Sequence, residues 1–240
     1  MGEIKRKKKR GDRKDGVWLK DLDAMHAFTP YLYPNRADNE AFISERIELE
    51  SINRYLEKKN EDISEDPYKL FHVVLAAIVK TITLRPKMNR FIKGYRTYQR
   101  NDLTLAFVVK KKFADEGKAA LAFIKFDEDM LTKFPRFILR TIVWILHKLD
   151  FYGKVPDFLI KTDPNYSTCF ISNLGSIGLK AGYHHLCNWG TNSIFVVLGE
   201  KKLTPVYDNE GNMEMKETMD IGLTLDERIA DGYYYSKTVK

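Results

Sequence analysis

The sequence predicts an α+β protein, a two-layer sandwich with a mixed β-sheet. The strand-like and helical segments alternate irregularly along the 240 residues, which is not the pattern of a doubly wound parallel sheet. Turns typical of β-hairpins also recur, at Gly94 and over residues 207–213. The length suits one large domain, and the apolar content of 44% allows a substantial core.

The first half of the chain gives the following predicted elements. A short helix or turn is expected over 17–28, and Pro30 and Pro34 mark the loop after it. A helix over 68–84 has the clearest apolar stripe, and Arg85-Pro86 ends it. The other expected elements are a strand at 41–49, a helix at 51–59, a hairpin at 90–98 and strands at 103–110 and 120–126.

The second half begins with a very apolar segment, residues 134–149, which is too short and too charged to span a bilayer. It is interpreted as a helix packed on the sheet or on another subunit. The alternative is a helix lying on a membrane, with Arg136, Arg140 and Lys148 toward the headgroups. Three strands are expected after it, at 167–175, 191–199 and 216–225, and a helix around 233–235.

The net charge of +7 is concentrated at the N-terminus. Residues 1–15 carry +5 and the remaining residues only +2. We therefore expect residues 1–16 to form a basic flexible tail and residues 17–240 a single domain. The segment 1–15 is a candidate for weak contact with an anionic surface. No specific nucleic-acid partner is expected, because the rest of the chain is nearly neutral.

Two cysteines, Cys169 and Cys187, form no CxxC pair, and a charged run stands where a secretory signal would have its apolar region. We expect a cytoplasmic protein with free thiols and no metal site. Cys169 is expected in the core, because it alternates with the face of Ser172. Cys187 is a weaker nucleophile candidate, and a small buried hydrophobe is the commoner role of such a residue.

Two C-terminal motifs resemble a known family. Residues 170–178, FISNLGSIG, resemble the F-x-I-S-N-L-G-x-x-G stretch of the catalytic domain of 2-oxoacid dehydrogenase acyltransferases. Residues 226–232, DERIADG, resemble the D-H-R-x-x-D-G of that family and the H-H-x-x-x-D-G of chloramphenicol acetyltransferase, which shares the fold. The helix over 68–84, followed by residues 85–89, is similar to the family's long helix ending in P-x-x-N.

The resemblance implies a chloramphenicol acetyltransferase-like fold, a homotrimer and an active site in a channel between subunits. Its chemistry would move an acyl group from acyl-CoA, or a related thioester, to an unknown small-molecule acceptor. Coenzyme A would be a cosubstrate, and no cofactor would be bound permanently. Ser172 matches the serine that stabilises the oxyanion, and Asp231 matches the aspartate that holds the loop in shape.

Glu227 occupies the position of the family's catalytic histidine. A solvated glutamate, with a pKa of about 4.3, is a poor base for a hydroxyl or a thiol, although burial raises such a pKa by a few units. His184 and His185 follow the Ser172 turn in a glycine-containing loop. One hypothesis is that either histidine replaces the missing base and that Glu227 orients its ring. The alternative is that the pair packs at a subunit interface.

The expected function is therefore acyl transfer with an altered base. The alternative is a catalytically inactive trimeric scaffold or ligand-binding relative that kept the fold. Ser172 and Asp231 favour the first interpretation, and Glu227 favours the second.

Overall fold

A computed structural model of the chain describes residues 9–107, 109–110, 119–120 and 136–240. The strands of this part are β1 (Gly16–Trp18), β2 (Glu40–Glu48), β3 (Arg90–Lys93), β4 (Arg96–Arg100), β5 (Leu105–Phe107), β6 (Val109–Lys110), β7 (Ala119–Ala120), β8 (Cys169–Asn173), β9 (Ile194–Tyr207) and β10 (Met213–Asp226). Its α-helices are α1 (Ala24–Leu32), α2 (Glu50–Asn60), α3 (Leu70–Leu84), α4 (Arg136–Phe151), α5 (Asp157–Thr162) and α6 (Gly232–Val239).

The large sheet has five strands in the order β2-β10-β9-β8-β5. Strand β10 is antiparallel to β2 and β9, whereas β8 is parallel to β9 and β5. Both kinds of pairing occur in one sheet, and helices cover one of its faces. The predicted α+β class with a mixed sheet is therefore confirmed.

The two faces of the sheet are buried by different partners. Cys169 and Ile171 point to the face that packs against Val74 and Ile82 of α3, and this contact is the centre of the main core. The alternate residues of β8 point the other way, because side chains along a strand alternate between faces. Phe170 lies there in a smaller apolar cluster with Phe195, Val197 and Leu186. Cys169 is fully buried, as expected, and burial raises the pKa of its thiol.

A second sheet, in the order β1-β4-β3, contains the predicted hairpin. Lys93 pairs with Arg96, and the two residues of the turn, Gly94 and Tyr95, both have positive φ values, of 57° and 61°. Two-residue hairpin turns of this kind require positive φ at both positions, and glycine adopts it without steric cost. The hairpin prediction is therefore confirmed at its turn.

The N-terminal boundary of the domain differs from the prediction. Gly16 begins β1, and Arg13 is 5% exposed, with its guanidinium beside the carboxylates of Asp15 and Asp150. Residues 13–16, which the prediction assigned to the tail, are held by the body, because Arg13 pairs with Asp150 and Gly16 pairs with Arg100 in the strand register. Lys14 also pairs with Asp157, at 2.9 Å, so fewer cations remain for an anionic surface than the sequence indicated. Residues 1–8 lie outside the described part.

Other element boundaries in the structure also differ from the predicted ones. The region 17–28 contains the end of β1 before α1 begins at Ala24, so a strand precedes the expected helix. Most of the expected strand at 120–126, and residues 134–135 of the apolar segment, lie outside the described residues.

Helix α4 confirms that the apolar segment is helical. Its aromatic contacts reach the β3–β4 hairpin through Phe151 and Tyr95, and the loop at Trp189 through His147. Phe137, Val143 and Trp144 are exposed in the single chain, at 69%, 51% and 61%. This side of the helix is therefore not packed on the sheet. Within the described ranges, no helix combines the length and apolar character needed to cross a membrane.

Candidate functional site

Ser172 lies half-buried near the end of β8, on the sheet face opposite α3. It is level with Val197 of β9 in the strand register. The chain then turns sharply, because the side chain of Asn173 accepts a hydrogen bond from the backbone N–H of Ser176, at 3.2 Å. This Asx-type turn ends β8 and directs the following segment back over the sheet.

Residues 179–190, which we call the crossing segment, run over the face that carries Ser172. The carbonyl of Leu179 accepts a hydrogen bond from the backbone N–H of Glu200, at 2.9 Å. The ring of Tyr183 meets Phe42 of β2 edge to face, at 5.2 Å between centroids. The backbone N–H of Leu186 donates to the carboxylate of Glu40. The segment therefore extends from β9 across β10 to the edge strand β2.

Glycine at position 222 allows this close crossing. A Cβ atom on Gly222 would overlap the carbonyl oxygen of Gly182, so the backbone of the crossing segment lies directly on β10. Glycine within a strand commonly marks such an approach of a second backbone.

We expect Gly222→Ala to lower the free energy of unfolding by about 1–3 kcal/mol, because the added methyl group must displace the crossing segment. Gly182→Ala is the matched control, since a Cβ at Gly182 meets no atom within 4 Å. That control should change stability by less than about 0.5 kcal/mol. Urea unfolding of both variants measures the difference, and equal stabilities would contradict the close crossing.

The two histidines lie in the crossing segment and are exposed. The ring of His184 stacks between two rings, with centroids 4.2 Å from Phe195 and 4.5 Å from His185. Its Nδ1 is 2.9 Å from the carbonyl oxygen of His185, a geometry in which Nδ1–H donates. In that tautomer Nε2 has a free lone pair and is the nitrogen able to accept a proton.

His184 shares a sheet face with Ser172. Phe195, beneath the His184 ring, pairs with Phe170, which is two residues before Ser172 in β8. No hydrogen bond joins either histidine to Ser172 or to Glu227 within the described ranges. The expected group of Ser172, His184, His185 and Glu227 is therefore brought only partly together in a single chain.

Glu227 follows β10 in a short 3-10 turn over Glu227–Ile229. Its backbone N–H donates to the carbonyl of Asn39, at 2.8 Å, and its side chain is exposed. The residues on either side are buried, so the turn presents Glu227 alone to solvent.

A buried ion cluster holds this turn. Asp226 is fully buried, and the Arg228 guanidinium contacts both of its carboxylate oxygens at 2.8 Å. The Nε of Arg36 lies 3.4 Å from the same carboxylate. Arg228 also donates to the carbonyls of Tyr33 and Pro34, at 2.8 and 3.1 Å. Such bidentate, charge-assisted pairs fix a geometry strongly.

Sequence reasoning did not assign a role to this cluster. The motif DERIADG contains Asp226 and Arg228, so their pairing was open to prediction from the spacing. The contribution of Arg36 could not be predicted from the spacing, because 190 residues separate Arg36 from Asp226.

Asp231 caps helix α6. Its carboxylate accepts a hydrogen bond from the backbone N–H of Tyr234, at 2.8 Å, and this bond lowers the pKa of Asp231 below its ordinary value. Lys87 lies nearby, with its Nζ 4.0 Å from the carboxylate. An N-cap aspartate fixes the start of a helix, so Asp231 defines where the turn ends.

Ser172 and Glu227 are far apart within one chain. Ser172 is level with Val197, and Val197 is level with Gly222, which lies five residues before Glu227. At roughly 3.3 Å per residue, Glu227 is displaced about 17 Å along the sheet from Ser172. The residues described here also contain no cluster of three or more His, Cys, Asp or Glu side chains placed to hold a metal ion.

The fold is that of acyltransferase catalytic domains, and the two C-terminal motifs lie within it. The fold is similar to the cubic core of the pyruvate dehydrogenase multienzyme complex, with a TM-score of 0.55 and 13% identity over 90% of this chain and 83% of that one. It is also similar to a probable dihydrolipoamide acetyltransferase from Listeria monocytogenes 4b F2365, with a TM-score of 0.56 and 14% identity, over 90% and 86% of the two chains. A chloramphenicol acetyltransferase is also similar, with a TM-score of 0.53 and 13% identity over 92% of this chain and 94% of that one.

The family model that matches is the catalytic domain of the 2-oxoacid dehydrogenases acyltransferase, over residues 159–240. This match contains both motifs on which the resemblance was based. The predicted resemblance to this family is thus confirmed over residues 159–240, and the chloramphenicol acetyltransferase-like fold over most of the chain. A sequence search of the curated proteins found no significant match.

Proposed function

We propose that the chain transfers an acyl group from a thioester, with acyl-CoA as the cosubstrate, to a small-molecule acceptor. The observation that carries this proposal is the family match over residues 159–240, which includes Ser172 and the whole DERIADG turn. Ser172 is half-buried and Glu227 is exposed, in a fold similar to that of acyltransferases.

The proposed site lies between copies of the chain, in a homotrimer. Ser172 and Glu227 stand about 17 Å apart along one sheet, so they meet only when different copies supply them. An active site built from two subunits would need both the end of β8 and the Glu227 turn to reach the same interface. Both are near the surface.

In the proposed reaction, an imidazole accepts the proton of the acceptor's hydroxyl or thiol group. The acceptor then attacks the thioester carbonyl, and the Ser172 hydroxyl donates a hydrogen bond to the oxyanion of the tetrahedral intermediate. Collapse of the intermediate breaks the carbon–sulfur bond, and the imidazolium returns the proton to the leaving thiolate. The products are the acylated acceptor and free coenzyme A.

His184 is the favoured base of the two histidines, because its Nε2 is free and its ring lies on the face of Ser172. His185 stacks on it and is the second candidate. Glu227 of a neighbouring copy would orient the imidazole, as carboxylates do in other acid–base pairs. Asp231 would keep the Glu227 turn in place through its cap on α6.

Release of free coenzyme A from a panel of acyl-CoAs, with thiol, amine and hydroxyl acceptors, tests this proposal. We expect Ser172→Ala to lower kcat by about 10²- to 10³-fold, the usual effect of removing one oxyanion donor. Ser236→Ala, an exposed serine of α6, is the control and should retain full activity. Equal rates for the two variants would remove Ser172 from the mechanism.

The base is tested in the same assay with His184→Ala, His185→Ala and Glu227→Gln. Loss of turnover in one histidine variant identifies the base, and unchanged turnover in both excludes the histidine mechanism. If Glu227→Gln lost turnover while both histidine variants kept it, the proton transfer would be assigned to Glu227 itself.

One observation favours a second function, a non-catalytic trimeric scaffold or ligand-binding protein. The His184 ring stacks between His185 and Phe195, and within the described ranges no hydrogen bond or ion pair joins either imidazole to Glu227. Absence of turnover with every acyl-CoA, together with absence of acyl-CoA binding by calorimetry, would support this alternative over acyl transfer.

A further inference from the structure

A cavity of about 340 Å³ lies between α4, the β3–β4 hairpin and the loop before β2. It is separate from Ser172 and from the crossing-segment histidines, none of which lines it. Its volume is at the lower end of the range for small-molecule sites, which suits a ligand with one ring and one polar group.

Aromatic side chains form the walls of the cavity. Trp144 of α4 lines it although the residue is 61% exposed. Tyr95 of the hairpin meets Phe151, the last residue of α4, edge to face at 5.6 Å, and Tyr31 stacks on Tyr95 at 5.3 Å. Flat, rigid walls of this kind favour a planar apolar group in the ligand.

The polar lining is cationic. Arg36, Lys93, Lys148 and Arg228 line the cavity, and none of its lining residues carries a carboxylate. The carboxylates behind it, Asp150 and Asp226, already pair with these and neighbouring cations.

Two donors at the cavity remain available. Lys148 has no carboxylate partner in the described part of the chain, and its Nζ lies 5.7 Å from the centroid of the Trp144 ring. His147 meets the Trp189 ring edge to face and also lines the cavity. Lys93 is already paired with Asp150, and burial lowers its pKa below the ordinary value.

We propose that this cavity binds a small organic anion with a planar ring, such as an aryl phosphate or an aryl carboxylate. The ring lies between Trp144 and Tyr95, and Lys148 and His147 bind the anionic group. The proposed ligand contacts use none of the residues assigned to acyl transfer, although Arg36 and Arg228 of the lining also hold the Glu227 turn.

Calorimetry on the full chain with phenyl phosphate as the probe tests the proposal. Inorganic phosphate tests the charge without the ring, and benzyl alcohol tests the ring without the charge. We expect phenyl phosphate to bind at least tenfold more tightly than either comparator. Equal binding of phenyl phosphate and either comparator would overturn the proposal.

Substitutions locate the site. We expect Lys148→Ala and Trp144→Ala each to weaken phenyl phosphate binding at least tenfold. The matched controls are Lys161→Ala, an exposed lysine of α5, and Phe137→Ala, an exposed aromatic residue of α4 that does not line the cavity. All four side chains are largely outside the core, so these variants are expected to fold, which circular dichroism checks.

Retained affinity in Lys148→Ala and Trp144→Ala would overturn the assignment of the site. Ser172→Ala should bind phenyl phosphate with unchanged affinity. Failure of this binding would thus be distinguishable from failure of acyl transfer.

Discussion

Replacing Asp150 by alanine is expected to lower the free energy of unfolding by about 3–5 kcal/mol. Asp150 is fully buried at the end of α4, where its carboxylate pairs with Lys93 and lies 3.4 Å from the Arg13 guanidinium. It also accepts hydrogen bonds from the Tyr166 hydroxyl, at 2.8 Å, and the Gly190 backbone N–H, at 3.1 Å. The substitution leaves two cations and two donors without this partner, which is the main cost of breaking a buried ion pair.

Urea unfolding followed by circular dichroism measures the Asp150→Ala effect. Glu50→Ala is the matched control, because it also removes the carboxylate of an ion pair, with Arg54, but on an exposed helix surface. We expect that control to cost less than about 0.5 kcal/mol. A similarly small loss in Asp150→Ala would show that the buried cluster does not hold the N-terminal residues, α4 and the Trp189 loop together.

Asp226→Ala is expected to have an effect of the same size, about 3–5 kcal/mol. The fully buried Asp226 carboxylate is the common partner of Arg36 and Arg228, and the Tyr235 hydroxyl donates to its backbone carbonyl at 2.7 Å. Without the carboxylate, two buried guanidinium groups lose their counter-charge. The turn that presents Glu227 loses the contact that sets its shape.

Asp220→Ala is the matched control for Asp226→Ala. Asp220 also has two cationic partners, Arg46 and Lys202, but its side chain is 21% exposed and those of the cations are 50% and 28% exposed. Solvent weakens such surface pairs, so a loss of about 1 kcal/mol or less is expected. If Asp226→Ala were no more destabilising than Asp220→Ala, the cluster could not be the anchor of the turn.

Much of the fold followed from local sequence patterns. The hairpin at Gly94, helix α3, the apolar strands β8 and β9 and the turn before β10 were predictable, because strand alternation, helical periodicity and turn residues act over a few positions. The family of the C-terminal third was predictable as well, since its motifs are short and specific. Cys169 was placed in the core by the same alternation along β8.

The N-terminal boundary was not predictable from the same patterns. A run of basic residues is typical of a solvated tail, and the sequence contains no local signal that Arg13 is buried. Its carboxylate partner, Asp150, lies 137 residues further along the chain. Only the packing of α4 against the first residues of the domain brings the two together.

By itself, the sequence determined the α+β class, the resemblance of its C-terminal region to the acyltransferase family, and the positions of Ser172 near a strand end and of Glu227 and Asp231 in the turn before the last helix. The tertiary structure decided how these turns are related. It places Ser172 and Glu227 about 17 Å apart along the sheet, puts His184 on the face of Ser172, and joins Arg36 to Asp226. The physical reason is that strand register and burial of charge bring together residues distant in sequence, whereas periodicity and turn chemistry report only on neighbours.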